Sequence, residues 1–195
     1  SMTGTVSGRL LWPAGLYSTA TLEAKWKPIS DSPANWGIGY LFHSADSANG
    51  YRLRVGQTGT DFDASTSGNQ NVYLEKIVSG AASKVFSTVS TMSIATDTWY
   101  TLKIVLDPAA SATIKIYING NQQDTSTISD VTYTSGAAAL LGGGGLHAEV
   151  DDAQTIVNSV TSTWNFDSNT ELPAAWVRLS LNSLTDGSPN TFDDN

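Results

Sequence analysis

Apolar and polar residues alternate with a period of two along most of this chain, and β-branched and aromatic residues fall between clusters of Gly, Asn, Asp and Ser. The pattern predicts strands over Thr19–Trp26, Gly37–His43, Tyr51–Gly56, Val72–Val78, Trp99–Leu106 and Thr113–Ile118, with a polar-edged strand over Leu146–Ile156. Pro28 to Pro33 reads as a loop, as does the polar stretch Gln57 to Asn71. Asn49-Gly50 suits a tight turn, Ser79-Gly80 can turn straight into the next strand, and Asn119-Gly120 fits a primed turn in which both central residues take positive φ. The four glycines Gly142 to Gly145 read as a flexible loop or as backbone that must approach something closely. No window sustains an i, i+3, i+4 apolar stripe with caps, so no helix beyond a turn or two is expected. The fold class is all-β and antiparallel, with about ten to fourteen strands if their mean length is ordinary.

A length of 195 residues suits one domain, taken as 1–195, and six Trp, seven Tyr and five Phe supply bulk for a core without disulfides or metals. Ten Lys and Arg stand against eighteen Asp and Glu, a formal charge of −8 that repels phosphate backbones and anionic lipid. Nucleic acid is therefore an unexpected partner. Apolar runs are too short for a membrane-inserted helix, and no leader pattern opens the sequence, which leaves export open. The absence of Cys excludes thiolate chemistry. The low charged fraction of 14% points toward a secreted or surface-displayed β protein.

Four segments carry a resemblance: Gly37–Asp46 leading to Asn49–Val55, then Trp99–Ile104, then Ile116–Gly120, then Val150–Asp152. In this order, within residues 19–156, they resemble the concanavalin-like and laminin-G-like jelly-roll modules, two-sheet antiparallel sandwiches that include carbohydrate-binding modules. The resemblance implies a lectin-like, non-catalytic role in a larger extracellular polypeptide, with a glycan or polysaccharide as ligand. An adhesive or spacer sandwich is the alternative. In such modules an opening segment like Trp164–Trp176 comes first, whereas here it lies near the carboxyl end. Residues 160–195 thus either complete the sandwich as a permuted edge or begin a neighbouring module.

Saccharide recognition needs a ring that stacks on a sugar face, flanked by planar polar groups that bond its hydroxyls. Asn35, Trp36, Tyr40, His43, Asp46, Tyr51, Arg52 and Arg54 offer this mixture, and Arg52 and Arg54 share a face by parity. Tyr73 and Glu75 can join from a neighbouring strand. The competing reading makes Trp36 and Tyr40 core residues and leaves the arginines solvated. Trp99 reads as a core anchor, and Trp12 as a loop residue that either stacks or plugs an end of the sandwich.

The resemblance also implies a structural calcium ion near Asp151-Asp152, with Asp152 the stronger candidate, although calcium requires six to eight oxygens. Asp61-Phe62-Asp63 is a second, weaker loop candidate for a hard cation. Glu149-Val-Asp-Asp-Ala-Gln154 is similar to the Glu-x-Asp-x-x-Glu motif of family 16 glycoside hydrolases. It fails at its last position, because Gln154 cannot exchange a proton as a general acid must.

Overall fold

The computed structural model describes residues 2–11, 18–29, 37–46, 48–66, 68–107, 113–123, 128–130, 132–164 and 177–179; for 2–11, 142–147 and 177–179 it describes the backbone alone. These residues form thirteen strands and no helix. In chain order they are β1 (Met2–Leu11), β2 (Ala20–Pro28), β3 (Gly37–Asp46), β4 (Asn49–Val55), β5 (Val72–Val78), β6 (Ala81–Thr88), β7 (Tyr100–Asp107), β8 (Thr113–Ile118), β9 (Asn121–Gln122), β10 (Ile128–Ser129), β11 (Ala137–Val157), β12 (Val160–Trp164) and β13 (Val177–Leu179).

Every pairing is antiparallel, and the strands make two sheets of a sandwich. The first sheet runs β11-β3-β4-β5-β6 and the second β11-β2-β7-β8, with the short β9 and β10 beside β8. Strand β11 belongs to both. Its residues 137–143 pair with β3, and its residues 148–156 pair with β2. On its other flank, β1 covers residues 139–150 and β12 covers 153–157, while β13 extends the sheet by pairing Val177–Leu179 with Leu11–Arg9.

The glycine run lies inside this strand and is no loop. Gly142 pairs with both Gly8 and Ile38, and Gly143 with Gly37, just where β11 leaves one sheet for the other and the β1 register slips between Val6 and Gly8. A strand that crosses between sheets must bend while flanked on both sides, and glycine tolerates both demands. Asn49-Gly50 likewise opens β4 and is not itself the turn, since Asn49 pairs with Asp46. Gly50 has φ of 148°, and a Cβ there would sit 2.9 Å from Ser44 Cα, so the glycine serves a close strand approach. The predicted primed turn at Asn119-Gly120 has φ values of 48° and 80°, and Ser79-Gly80 has 50° and 82°.

The core lies between the sheets. Inward residues alternate along β2 (Leu22, Ala24, Trp26), β4 (Tyr51, Leu53, Val55) and β7 (Tyr100, Leu102, Ile104, Leu106), all buried. Trp99 corrects the expectation of a core anchor: Tyr100 takes the inward position, and Trp99 is 38% exposed. The alternation was right, but its phase was off by one residue. Trp12 lies outside the described residues.

Candidate functional site

The meander β3-β4-β5-β6 presents one outward face, and its register decides which side chains meet. Cross-strand partners on β3 and β4 have opposite parity: Tyr40 lies opposite Leu53, Leu41 opposite Arg52, and Gly39 opposite Arg54. On the next pair Arg52 lies opposite Glu75 and Arg54 opposite Tyr73, and Glu75 in turn lies opposite Lys84 on β6. Arg52, Arg54, Tyr73 and Glu75 therefore come together on the outer face, whereas Tyr40 points inward with Leu53.

Glu75 is the centre of this group. Its carboxylate accepts a hydrogen bond of 2.7 Å from Arg52 Nε and lies 3.4 Å from Arg54 Nη2. The Arg54 guanidinium lies between two rings, 4.6 Å from the Phe62 centroid and 5.3 Å from that of Tyr73. Burial pushes this guanidinium below its ordinary value, and Glu75 opposes the shift. Arg54 Nε is buried without a hydrogen-bond partner.

Phe62 reaches the face because the 56–71 loop folds back on the sheet. Gly56 N–H donates to Asn71 O, and Phe62 N–H to Gln70 O. Asp63 pins the loop to β6: its carboxylate accepts from Lys84 Nζ at 2.6 Å, from Ser87 Oγ at 2.9 Å and from Ser65 Oγ. Gly37 leaves the ring its room, since a Cβ there would approach Phe62 Cζ to 3.1 Å. Sequence reading missed Phe62. The Asp-x-Asp signal was visible, but as a cation loop, and Asp63 instead has an ammonium in that role.

Other candidates sit elsewhere. Tyr40 is fully buried and donates its hydroxyl to Leu102 O at 2.6 Å, a bond joining β3 to β7 through the core, and burial pushes its phenol well above the ordinary value. His43 is buried in a β-bulge at φ of 46°, with Nδ1 3.0 Å from Tyr133 O and Nε2 3.2 Å from Ser18 O. Burial pushes its imidazole below the ordinary value, against the two carbonyls. Both residues correct the expectation of an outward position. The register shift between Phe42 and Asp46 turns His43 inward, and opposite parity does the same for Tyr40. Asp46 lies exposed at the β3–β4 hairpin, where it accepts from Ala48 N–H and Asn49 Nδ2, the bonds that lower its pKa. Trp36 lies outside the described residues.

The acidic pair on β11 does not fit calcium. Asp152, at φ of 45° in the bulge between Asp151 and Gln154, is bonded 2.5 Å from Lys25 Nζ, and Asp151 accepts the backbone N–H of Asp152. An ammonium already neutralises the stronger candidate, and among the described residues no three His, Asp or Glu side chains converge as a metal site.

Two carboxylates report on acid stability. Hydrogen bonds from Lys84, Ser65 and Ser87 hold Asp63 well below the usual carboxylate range. Burial pushes Asp130 up, but the Tyr51 hydroxyl at 2.5 Å, Lys76 Nζ at 2.9 Å and Thr132 N–H outweigh it and hold Asp130 low as well. Because both folded-state values are depressed, their contribution is fully present above the unfolded Asp value of about 4 and is lost as pH falls through the folded values. Melting temperatures followed by near-ultraviolet circular dichroism should stay nearly level from neutrality to about pH 5 and drop steeply below about pH 4. Asp63→Asn should flatten that drop, and an unchanged slope would contradict the Asp63 assignment.

The family model described as the Concanavalin A-like lectin/glucanases superfamily matches residues 13–160, and the chain belongs to this superfamily. Similar solved structures include the carbohydrate-binding module CBM66 from Bacillus subtilis, 19% identical, with a TM-score of 0.58 over 76% of this chain and 81% of that one. Sheep galectin-11 is 11% identical, with a TM-score of 0.52 over 77% of this chain and 99% of its own. The Caenorhabditis elegans galectin LEC-6 is 15% identical, with a TM-score of 0.52 over 79% and 94%. At these identities the likeness is one of fold, and the fold is lectin-like. No curated protein matches the sequence.

Proposed function

We propose that this chain is a non-catalytic carbohydrate-binding module, secreted or surface-displayed, that takes a glycan on the outer face of its first sheet. The observation that carries the reading is the Arg52–Glu75–Arg54 group flanked by Tyr73 and Phe62. A guanidinium has five N–H donors, and Arg52 uses Nε on Glu75, which leaves a planar donor edge for sugar hydroxyls. Tyr73, half-buried on β5, supplies the adjoining ring. The Phe62 loop, pinned to β6 through Asp63, supports a preformed surface, which lowers the ordering cost of binding.

The non-catalytic part rests on β11. Glu149 is paired with Lys27 at 2.8 Å, and Gln154 stands where a retaining glycosidase needs its second carboxylate, its amide donating to Glu23 at 2.7 Å. The pairing of β13 with β1 supports a tail that completes this sandwich in place of opening a following module. The 14% charged fraction suits an extracellular setting.

A glycan array followed by titration calorimetry tests the reading. Wild type should bind at least one glycan class at micromolar to millimolar concentration, and Arg52→Ala should weaken it about tenfold, or roughly 1.4 kcal/mol. If wild type binds nothing at millimolar glycan, the adhesive or spacer sandwich takes its place.

A further inference from the structure

The opposite face of the sandwich carries its own arrangement of rings and polar groups. Along β7 the inward positions belong to Tyr100, Leu102, Ile104 and Leu106, so Trp99, Thr101 and Lys103 face outward. Trp99 is the most exposed large aromatic side chain among the described residues. Lys27 Nζ lies 5.3 Å from its ring centroid, and Glu149, in register with Lys27, accepts that ammonium at 2.8 Å. The result is a row, Trp99–Lys27–Glu149, running across β7, β2 and β11. A second ring follows along the same face: Tyr117 lies opposite Lys103, with the ammonium 5.0 Å from its centroid. Trp99 and Lys103 are four positions apart, so the two rings are separated by roughly 13 Å along the strands.

This composition selects among ligand classes. Three lysines here are met by acids, Lys27 by Glu149, Lys25 by Asp152 and Lys103 by Glu23, and Lys115 joins them on the same face of β8. A phosphate backbone needs cations in excess, and a protein interface needs a contiguous apolar patch. Isolated rings set among neutralised donor and acceptor pairs meet the needs of an uncharged sugar, whose apolar face stacks while its hydroxyls bond both partners of an ion pair. Trp99 takes no core position, since Tyr100 fills it, and its contact with one ammonium is a modest return for a partly exposed indole.

We propose that the outer face of the second sheet is a second saccharide-binding surface. Trp99 is its stacking platform, the Lys27–Glu149 pair bonds the hydroxyls, and its ligand is a neutral polysaccharide chain. With one surface on each side of the sandwich, a single module can bridge two polysaccharide chains, and avidity follows without a second copy. The second surface does not depend on the first.

Affinity electrophoresis in gels containing laminarin, xyloglucan, galactomannan or inulin, together with tryptophan fluorescence titration, separates the two surfaces. Trp99→Ala should weaken retention by at least one polysaccharide tenfold or more and abolish part of the fluorescence change, while Trp99→Tyr should keep part of the affinity. Thermal melting should match wild type for both, and Glu149→Gln should give a smaller loss in the same gel. Precipitation of the polysaccharide by wild type should disappear in Trp99→Ala and in Arg52→Ala alike. If Trp99→Ala binds as wild type while Arg52→Ala does not, the second surface is refuted and the first stands. If Trp99→Ala alone loses binding, the first-sheet reading falls. If wild type is retained by none of the four polysaccharides, the second surface is refuted, and the first stands or falls on the glycan array.

Discussion

Gly39→Ala should destabilise the fold by on the order of 3 kcal/mol, enough to lower the melting temperature by roughly 10 °C in a domain of this size. A Cβ built on Gly39 falls 1.9 Å from the Leu53 carbonyl oxygen and 2.7 Å from its carbon, inside the β3–β4 pairing. No rotamer relieves the contact, because every atom involved is backbone or the first carbon of the side chain. The strands must separate locally or slide, and either movement breaks the β3–β4 pairing that supports Arg52 and Arg54 from one side. Urea denaturation should show a lower midpoint with little change in slope. A melt within about 2 °C of wild type would mean that β3 and β4 are not in the register given above.

Glu75→Ala should be the most damaging change at the first-sheet site, costing about 2 kcal/mol and weakening glycan binding at the same time. Removal of one partner from a buried ion pair costs about 3–5 kcal/mol. The guanidiniums of Arg52 and Arg54 are each about a quarter exposed, which lets water recover part of that loss. What remains is two neighbouring cations on adjacent alternate positions of one strand, one of them pressed between rings, with no anion between them. Raising the salt concentration should restore part of the lost stability by screening their repulsion. Glu75→Gln, which keeps the shape and one acceptor, should fall between wild type and Glu75→Ala in both melting and glycan titration. Equal melting of all three proteins would show that Glu75 contributes no net stability there.

The strands were legible because their signal is local. Trp99 to Leu106 and Thr113 to Ile118 alternate so regularly that only the phase at Trp99 was misjudged, and the Asn119-Gly120 turn announces itself through residues that tolerate positive φ. The site was legible only within a strand or between strands joined by a tight turn. Arg52 with Arg54 follows from parity, and Tyr73 with Glu75 joined them correctly. Tyr40 and His43 were misplaced because facing across the β3–β4 hairpin depends on the register and on the bulge before Asp46, and no local pattern encodes either. Phe62 was invisible for a related reason: its position is set by a loop whose anchor, Asp63, finds Lys84 on a strand twenty-one residues away. Lys25 and Asp152 lie 127 residues apart, so the ammonium that meets this acidic dipeptide was not visible beside it in the sequence.

The long strand shared by both sheets governs how this chain reaches its native state. Met2 meets Val150, Thr21 meets Ile156 and Ser44 meets Ala137, so neither sheet can close until Ala137–Val157 is present. Contacts of such separation place the domain among slow folders, because distant segments must find one another before many of their contacts form. During synthesis the early meander has an open flank until Ala137–Val157 arrives, and that late arrival zips both sheets in one event.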